Sequence, residues 1–171
     1  MALTIYDASV PVFTNALTDM RAWLDKAAAA KPEAELLAAK LAEDMRAFPA
    51  QIQMASDAAK GAVARLAGVS PLAMADTETS FAELRDRIDR TIAFIASVDR
   101  AAVLAGDDRP IELKFPNGMG YRFTGTTFLT GFALPNFFFH VTTAYAILRA
   151  AGVPVGKGDF LAHLGAPLTD L

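Results

Sequence analysis

The segment Phe132–Leu161, FALPNFFFHVTTAYAILRAAGVPVGKGDFL, holds the most informative pattern of the chain, because it places one histidine inside a long apolar helix. At about 100° per residue, His140 points along a stripe of apolar residues, namely Leu129, Ala133, Ala144, Ile147 and Ala151. Asn136 and Thr143 lie beside it on the same helix. An imidazole in the middle of a core-facing stripe needs a hydrogen-bond partner or a function.

This position of His140 allows three interpretations. The ring is a buried neutral histidine that is hydrogen-bonded to a neighbour, or it lines a pocket inside the protein as a ligand-binding group or general base. The third is that the assumed register is wrong and the ring faces solvent. In the second interpretation Asn136 and Thr143 are candidate ligand-binding side chains, and the sequence names no catalytic residue.

Helical periodicity dominates the chain. It predicts long amphipathic helices within residues 4–30, 48–66, 80–95 and 126–152, and a short helix over residues 33–43. Alternating apolar and polar residues over 109–124, around the turn residues Pro116, Asn117 and Gly118, predict a β-hairpin. The chain is therefore expected to form one all-α domain over residues 1–171, a four-helix bundle with a short β-hairpin between helices three and four.

The second long helix supplies two further candidate ligand-binding side chains, Gln53 and Asp57. If its core-facing stripe is Ile52, Ala55, Ala59, Val63 and Leu66, Asp57 points away from the core and belongs to a solvated face. The helix is rich in alanine, so the stripe is poorly defined and a rotated register stays open.

Composition limits the classes of function. The 171 residues are 53% hydrophobic and 20% charged, with a mean hydropathy of +0.29, so much apolar surface must be buried, either in the core or between subunits. The 16 basic residues are scattered among 19 acidic ones, which disfavours nucleic-acid binding. No apolar run approaches the roughly 18 residues of a membrane span, and no signal-peptide pattern is seen. We expect a cytoplasmic protein with no membrane partner.

Metal binding finds little support in the residue types. There is no cysteine, and the chain has only two histidines, His140 and His163, without an HxxxH or HExxH pattern. Catalytic zinc sites usually need three convergent protein ligands. We therefore predict no metal site and no cofactor. The alternative is an atypical divalent-metal site, in which His140 is joined by Asp57, Asp44 or Gln53.

Four segments of the chain resemble the uncharacterised DUF1993 family, which is grouped with the DinB/YfiT-like helical bundles. They are YDASVPVF (6–13), AKGAVARLAGV (59–69), TSFAELRDRIDRTIAFI (79–95) and LPNFFFHVTTAYAILRAAGVPVGKGDFL (134–161). The resemblance implies a DinB/YfiT-like four-helix bundle, a homodimer, and a superfamily of metal-dependent enzymes that includes thiol-dependent transferases. Many members bind metal through three histidines. His140 matches one of them, but Ala144 stands four residues later and the second long helix has no histidine.

Three functional hypotheses follow from these observations. The first is a bundle that binds a small molecule in a pocket lined by His140, with the metal site of the superfamily degenerate. The second is a metal-dependent enzyme, a hydrolase or thiol transferase, with an atypical site. The third is a dimeric structural or interaction protein without pocket chemistry, in which His140 is simply enclosed.

Overall fold

The computed structural model describes residues 2–115 and 117–165, so Pro116 of the predicted turn and both ends of the predicted domain lie outside it. Its helices are α1 (Val10–Ala30), α2 (Glu33–Ala38), α3 (Phe48–Ala67), α4 (Phe81–Ser97), α5 (Arg100–Leu104), α6 (Gly125–Phe128), α7 (Leu134–Ala150) and α8 (Lys157–Phe160). Strands β1 (Ile111–Lys114) and β2 (Gly120–Phe123) lie between α5 and α6. A π-type turn (Leu129–Ala133) links α6 to α7, and a 3-10 turn (Ala162–Leu164) follows α8.

The four long helices α1, α4, α3 and α7 pack in a ring, with α3 in contact with both α4 and α7, and α1 in contact with α4 and α7. The two strands pair antiparallel, with Ile111 opposite Phe123 and Leu113 opposite Tyr121. The prediction of an all-α bundle with a short hairpin between the third and fourth long helices is thereby confirmed. The hairpin lies in the long excursion between α4 and α7, and β1 turns Ile111 and Leu113 into the core.

Local sequence signals set the ends of α3 and α4. Gly68 ends α3 with a φ of 73°, the left-handed conformation that glycine adopts without steric cost. Ser80 caps α4, and its hydroxyl accepts a hydrogen bond from the Glu83 N–H. The Glu83 carboxylate accepts from the N–H of Thr79, one residue before the position that a regular capping box uses. Of the shorter helices, α2 ends at Ala38, earlier than expected, and α5 has no sequence prediction.

The final helical segment is not one regular helix. Its cap is Thr124, whereas the sequence pattern predicts Thr126 or Thr127, and the helix widens into the π-type turn before α7. Pro135 follows this turn at the start of α7. Proline has no N–H to donate to the carbonyl of Gly131, and its ring crowds that carbonyl in a regular α-helix. A wider turn relieves this crowding, and such turns are frequent at functional sites.

The core stripe of α3 is as expected, since Ile52, Ala55, Ala59, Val63 and Leu66 are each at most 1% exposed. On the other side of the bundle the C-terminal segment packs on α1, where Trp23 stacks on Phe160 and donates a 3.0 Å hydrogen bond to the carbonyl of Asp159. Within residues 2–115 and 117–165, none of the helices combines the length and apolar character that crossing a bilayer requires.

Candidate ligand-binding site

A cavity of about 410 Å³ lies where α3, the hairpin, the π-type turn and α7 meet. The α3 residues on its wall are Met54, Asp57, Ala58, Ala62 and Arg65. Strand β1 and the residue after it contribute Glu112, Leu113, Lys114 and Phe115. The helical segment that follows contributes Phe128, Phe132, Ala133, Asn136 and His140. The π-type turn is thus part of the wall, and the hairpin closes a side of the site that the four long helices leave open.

His140 is 8% exposed, and its Nδ1 lies 3.0 Å from Oε1 of Gln51 on α3. Gln51 is 2% exposed, and its Nε2 donates a 3.0 Å hydrogen bond to the carbonyl of Arg46. Because a carbonyl can only accept, this bond fixes which end of the Gln51 amide faces the imidazole. Oε1 then has to accept from the ring, so the hydrogen-bond network assigns the proton of neutral His140 to Nδ1.

Burial lowers the pKa of His140 below its usual value of 6.5, so the ring stays neutral near pH 7. Its Nε2 then carries a free lone pair. Among the described residues Nε2 has no hydrogen-bond partner. The polar side-chain atoms of these residues that are both buried from solvent and without a partner are Ser56 Oγ, Arg85 Nε and Arg87 Nε, and Nε2 of His140 is not one of them. Nε2 is therefore accessible to solvent, and it can accept a hydrogen bond or a proton from a bound molecule.

Asn136 lies one helical turn before His140 and also lines the cavity. It is half-buried, and its amide forms no side-chain hydrogen bond to the described residues. The amide offers both a donor and an acceptor. Together the two side chains form a polar spot on an otherwise apolar stretch of α7.

Asp57 reaches the cavity from α3, and its Oδ1 is already engaged. It accepts a 2.6 Å hydrogen bond from Lys60 and a 2.7 Å bond from Arg87, which is 1% exposed on α4. Arg87 also pairs with Asp76 and Glu78, at 2.9 Å each. The Lys60 and Arg87 side chains therefore fix the position of the Asp57 carboxylate, and they compensate its charge.

The role of Arg87 is absent from the sequence predictions, although a signal for it exists. Arg87 lies three residues after Leu84 and one before Ile88, and its helix turns Thr91 and Ile95 to the same buried face. An arginine on a buried stripe needs carboxylate partners. The connector before α4 supplies two of them, and the third is Asp57. The aromatic wall of the cavity was not predicted either, because it depends on where the hairpin packs.

The structure brings three of the five predicted ligand-binding residues together, namely His140, Asn136 and Asp57. The other two lie elsewhere. The Thr143 hydroxyl donates a 2.7 Å hydrogen bond to the carbonyl of Phe139, and the Gln53 amide donates a 2.8 Å bond to Glu78. Neither lines the cavity.

The donor set does not fit a three-ligand metal site. Within the part of the chain that the structure describes, no three His, Cys, Asp or Glu side chains lie close enough together to hold a metal ion. Ala144 occupies the position one turn after His140, and it is fully buried. Gln53 is committed to Glu78, Asp44 is exposed between α2 and α3, and Asp57 is in ion pairs. His163 is bound to Asp19 on α1, with 2.6 Å between Nδ1 and Oδ2.

Comparison with known proteins agrees with the bundle. A family model described as "Domain of unknown function (DUF1993)" matches residues 5–161. The crystal structure of a DinB family member from Shewanella denitrificans is 37% identical in sequence, with a TM-score of 0.83, and the match covers 95% of this chain and 94% of that chain. Among curated proteins there is no significant match.

Proposed function

The chain belongs to the DUF1993 family, and on that premise we propose that it is a binding protein whose small-molecule ligand occupies the cavity beside His140. One observation carries the proposal. The Arg46 carbonyl and Gln51 orient a neutral histidine so that Nε2, which has no hydrogen-bond partner among the described residues, is the accessible nitrogen. A merely structural histidine needs no free acceptor, whereas a binding site uses a few such groups to orient its ligand.

The dimensions and lining of the cavity support the same proposal. A volume of about 410 Å³ lies within the range of small-molecule sites, which is roughly 300–1,000 Å³. Three phenyl rings, Phe115, Phe128 and Phe132, supply apolar wall, and two small side chains, Ala58 and Ala62, leave space on α3. Polar side chains share the wall with these apolar ones, and ligand pockets combine apolar surface with convergent polar groups that orient the ligand.

Filling the cavity tests the proposal without removing a polar group. Ala58 is half-buried on the cavity wall, so Ala58→Leu places added methyl groups in the space that a ligand needs. Ala96 is exposed on α4, which contributes nothing to the cavity, and Ala96→Leu is the matched control. A fragment library is screened against both variants and the wild type by ligand-observed NMR.

We expect fragments that bind the wild type and the Ala96→Leu variant, and that bind the Ala58→Leu variant at least about tenfold more weakly, because a ligand has to displace the new side chain. If no fragment distinguishes Ala58→Leu from the control, the cavity is not a binding site. Elemental analysis of untagged protein is run on the same sample. A metal at one equivalent per chain that is lost in His140→Ala would replace this proposal with the metal-enzyme hypothesis.

We also propose that the protein is a cytoplasmic homodimer. The support is its apolar composition, together with large apolar side chains that remain exposed on the described surface, among them Met119, Tyr121 and Phe139. Light scattering at micromolar concentration should give twice the mass of the chain. The mass of one chain would refute the dimer and leave the cavity proposal untouched.

A further inference from the structure

The polar groups at the cavity define what kind of ligand can bind. His140 Nε2 is an acceptor only, because the proton of the neutral ring is held on Nδ1 by Gln51. The group that meets Nε2 must therefore be a hydrogen-bond donor. Asn136, one turn away, offers an amide N–H that can donate to the same ligand group. A hydroxyl donates one hydrogen bond and accepts another at the same atom, so it meets both requirements.

The two carboxylates at the cavity are already paired, and its two cations, Arg65 and Lys114, are exposed to solvent. Asp57 is 2.7 Å from Arg87, and Glu112 is 2.8 Å from Arg122, whose hydrogen bond lowers the pKa of that carboxyl below its usual value. Arg65 is exposed, and its guanidinium donates a hydrogen bond to the carbonyl of Gly61. A charged ligand would lose hydration on binding, and it would find no buried, unpaired charge of opposite sign in the wall to compensate that loss. A neutral ligand has no such cost.

The apolar part of the wall favours an aromatic ring. The hairpin, α6 and the π-type turn contribute three phenyl rings, Phe115, Phe128 and Phe132, and the rings of Phe128 and Phe132 are stacked with centroids 6.0 Å apart. The α3 side carries Ala58 and Ala62, which are too small to fill the space opposite such rings. Aromatic surfaces pack well on one another in offset or edge contacts.

Given the proposed function, on which this step rests, we propose that the ligand is a neutral aromatic alcohol of the phenol class. Its hydroxyl donates to Nε2 of His140 and accepts from the amide of Asn136, and its ring lies between the α3 alanines and the phenyl rings of the hairpin, α6 and the π-type turn. A phenolic hydroxyl stays protonated near pH 7, because its pKa is about 10.

The test compares β-naphthol with its methyl ether, which keeps the ring and removes the donor, and with the carboxylate naphthoate. Affinities are measured by calorimetry on the full chain at neutral pH. For the wild type we expect β-naphthol to bind about tenfold more tightly than the ether, since the bound ether covers Nε2 without donating a hydrogen bond to it. In His140→Leu this preference should disappear. In Asn136→Ala it should fall by a few-fold, and this half-buried position serves if the histidine variant does not fold.

Each other outcome has a definite meaning. Equal affinity for β-naphthol and its ether in the wild type would overturn the phenol class while leaving a working cavity, so the proposed function would stand. Tighter binding of naphthoate would overturn the neutral ligand and point to Arg65. If none of the three probes binds, the phenol class is wrong, and the fragment screen with Ala58→Leu decides separately whether the cavity binds anything.

Discussion

The hydrogen bond between Gln51 and His140 should be worth enough to measure in a double-mutant cycle. Both side chains are nearly sealed from solvent, at 2% and 8% exposed, and Nδ1 and Oε1 are 3.0 Å apart. Gln51→Met keeps the length of the side chain but leaves the Nδ1–H of His140 without an acceptor. A buried donor that loses its partner costs about 1–3 kcal/mol. The carbonyl of Arg46 also loses its donor, but that residue is exposed and water can replace it.

His140→Leu should cost a similar amount, because it leaves Oε1 of Gln51 unpaired. In the double variant both polar partners are gone, and replacing both by apolar groups is often nearly neutral. We therefore expect the double variant to be more stable than the sum of the single effects predicts, by about 1–3 kcal/mol. Denaturant unfolding of the four proteins at pH about 7.5 measures this coupling. For a chain of this size each kcal/mol shifts Tm by about 2–4 °C.

The same variants test the tautomer. Nitrogen chemical shifts of the His140 ring should report a protonated Nδ1 and a bare Nε2 in the wild type, and this preference should weaken in Gln51→Met. Additive single effects, within about 0.5 kcal/mol, would show that the two side chains do not interact as described. A protonated Nε2 in the wild type would refute the assignment on which the phenol-class ligand rests.

Three further results follow from the structure. Burial lowers the pKa of His140 in the folded protein, so the unfolded chain takes up a proton first as the pH falls through about 6.5. The stability of the wild type relative to His140→Leu should therefore decrease as the pH falls from about 7 to about 5, and a stability difference that does not change with pH would show that the ring is not buried. Arg87→Leu should lower the free energy of unfolding in urea by about 3 kcal/mol or more, because three carboxylates lose their buried cation. Arg90→Leu is the control, and it should lower this free energy by less than about 1 kcal/mol because the ion pair of Arg90 with Asp86 is exposed. Gly125→Ala should be destabilising by about 1–3 kcal/mol, since its Cβ would lie 1.8 Å from the carbonyl oxygen of Gly106. Gly131→Ala has open space around the added methyl group and should change Tm little, and equal effects of the two substitutions would show that α6 does not pack against the loop after α5 as described.

Much of the fold follows from short-range signals. Helical periodicity depends only on the spacing of apolar residues, and it predicts the four long helices and the stripe of α3 that is buried. Ser80 begins α4 and Gly68 ends α3, through a hydrogen bond and a backbone angle that involve only neighbouring residues. The same periodicity predicts that His140 faces the interior of the bundle, because the direction in which a side chain leaves a helix depends on its position in the sequence of that helix.

What the imidazole meets there is not a local property. Its partner, Gln51, lies 89 residues away on another helix, and contact between them depends on the relative position of α3 and α7 along their axes. Periodicity is the same for every such offset, so it does not distinguish Gln51 from Gln53 as the partner. The salt bridges of Arg87 and the closure of the cavity by the hairpin depend on packing in the same way. The helices and the inward direction of His140 follow from the order of residues, whereas its tautomer, its free nitrogen and its cavity arise from contacts between distant segments, which the chain makes only once it has packed.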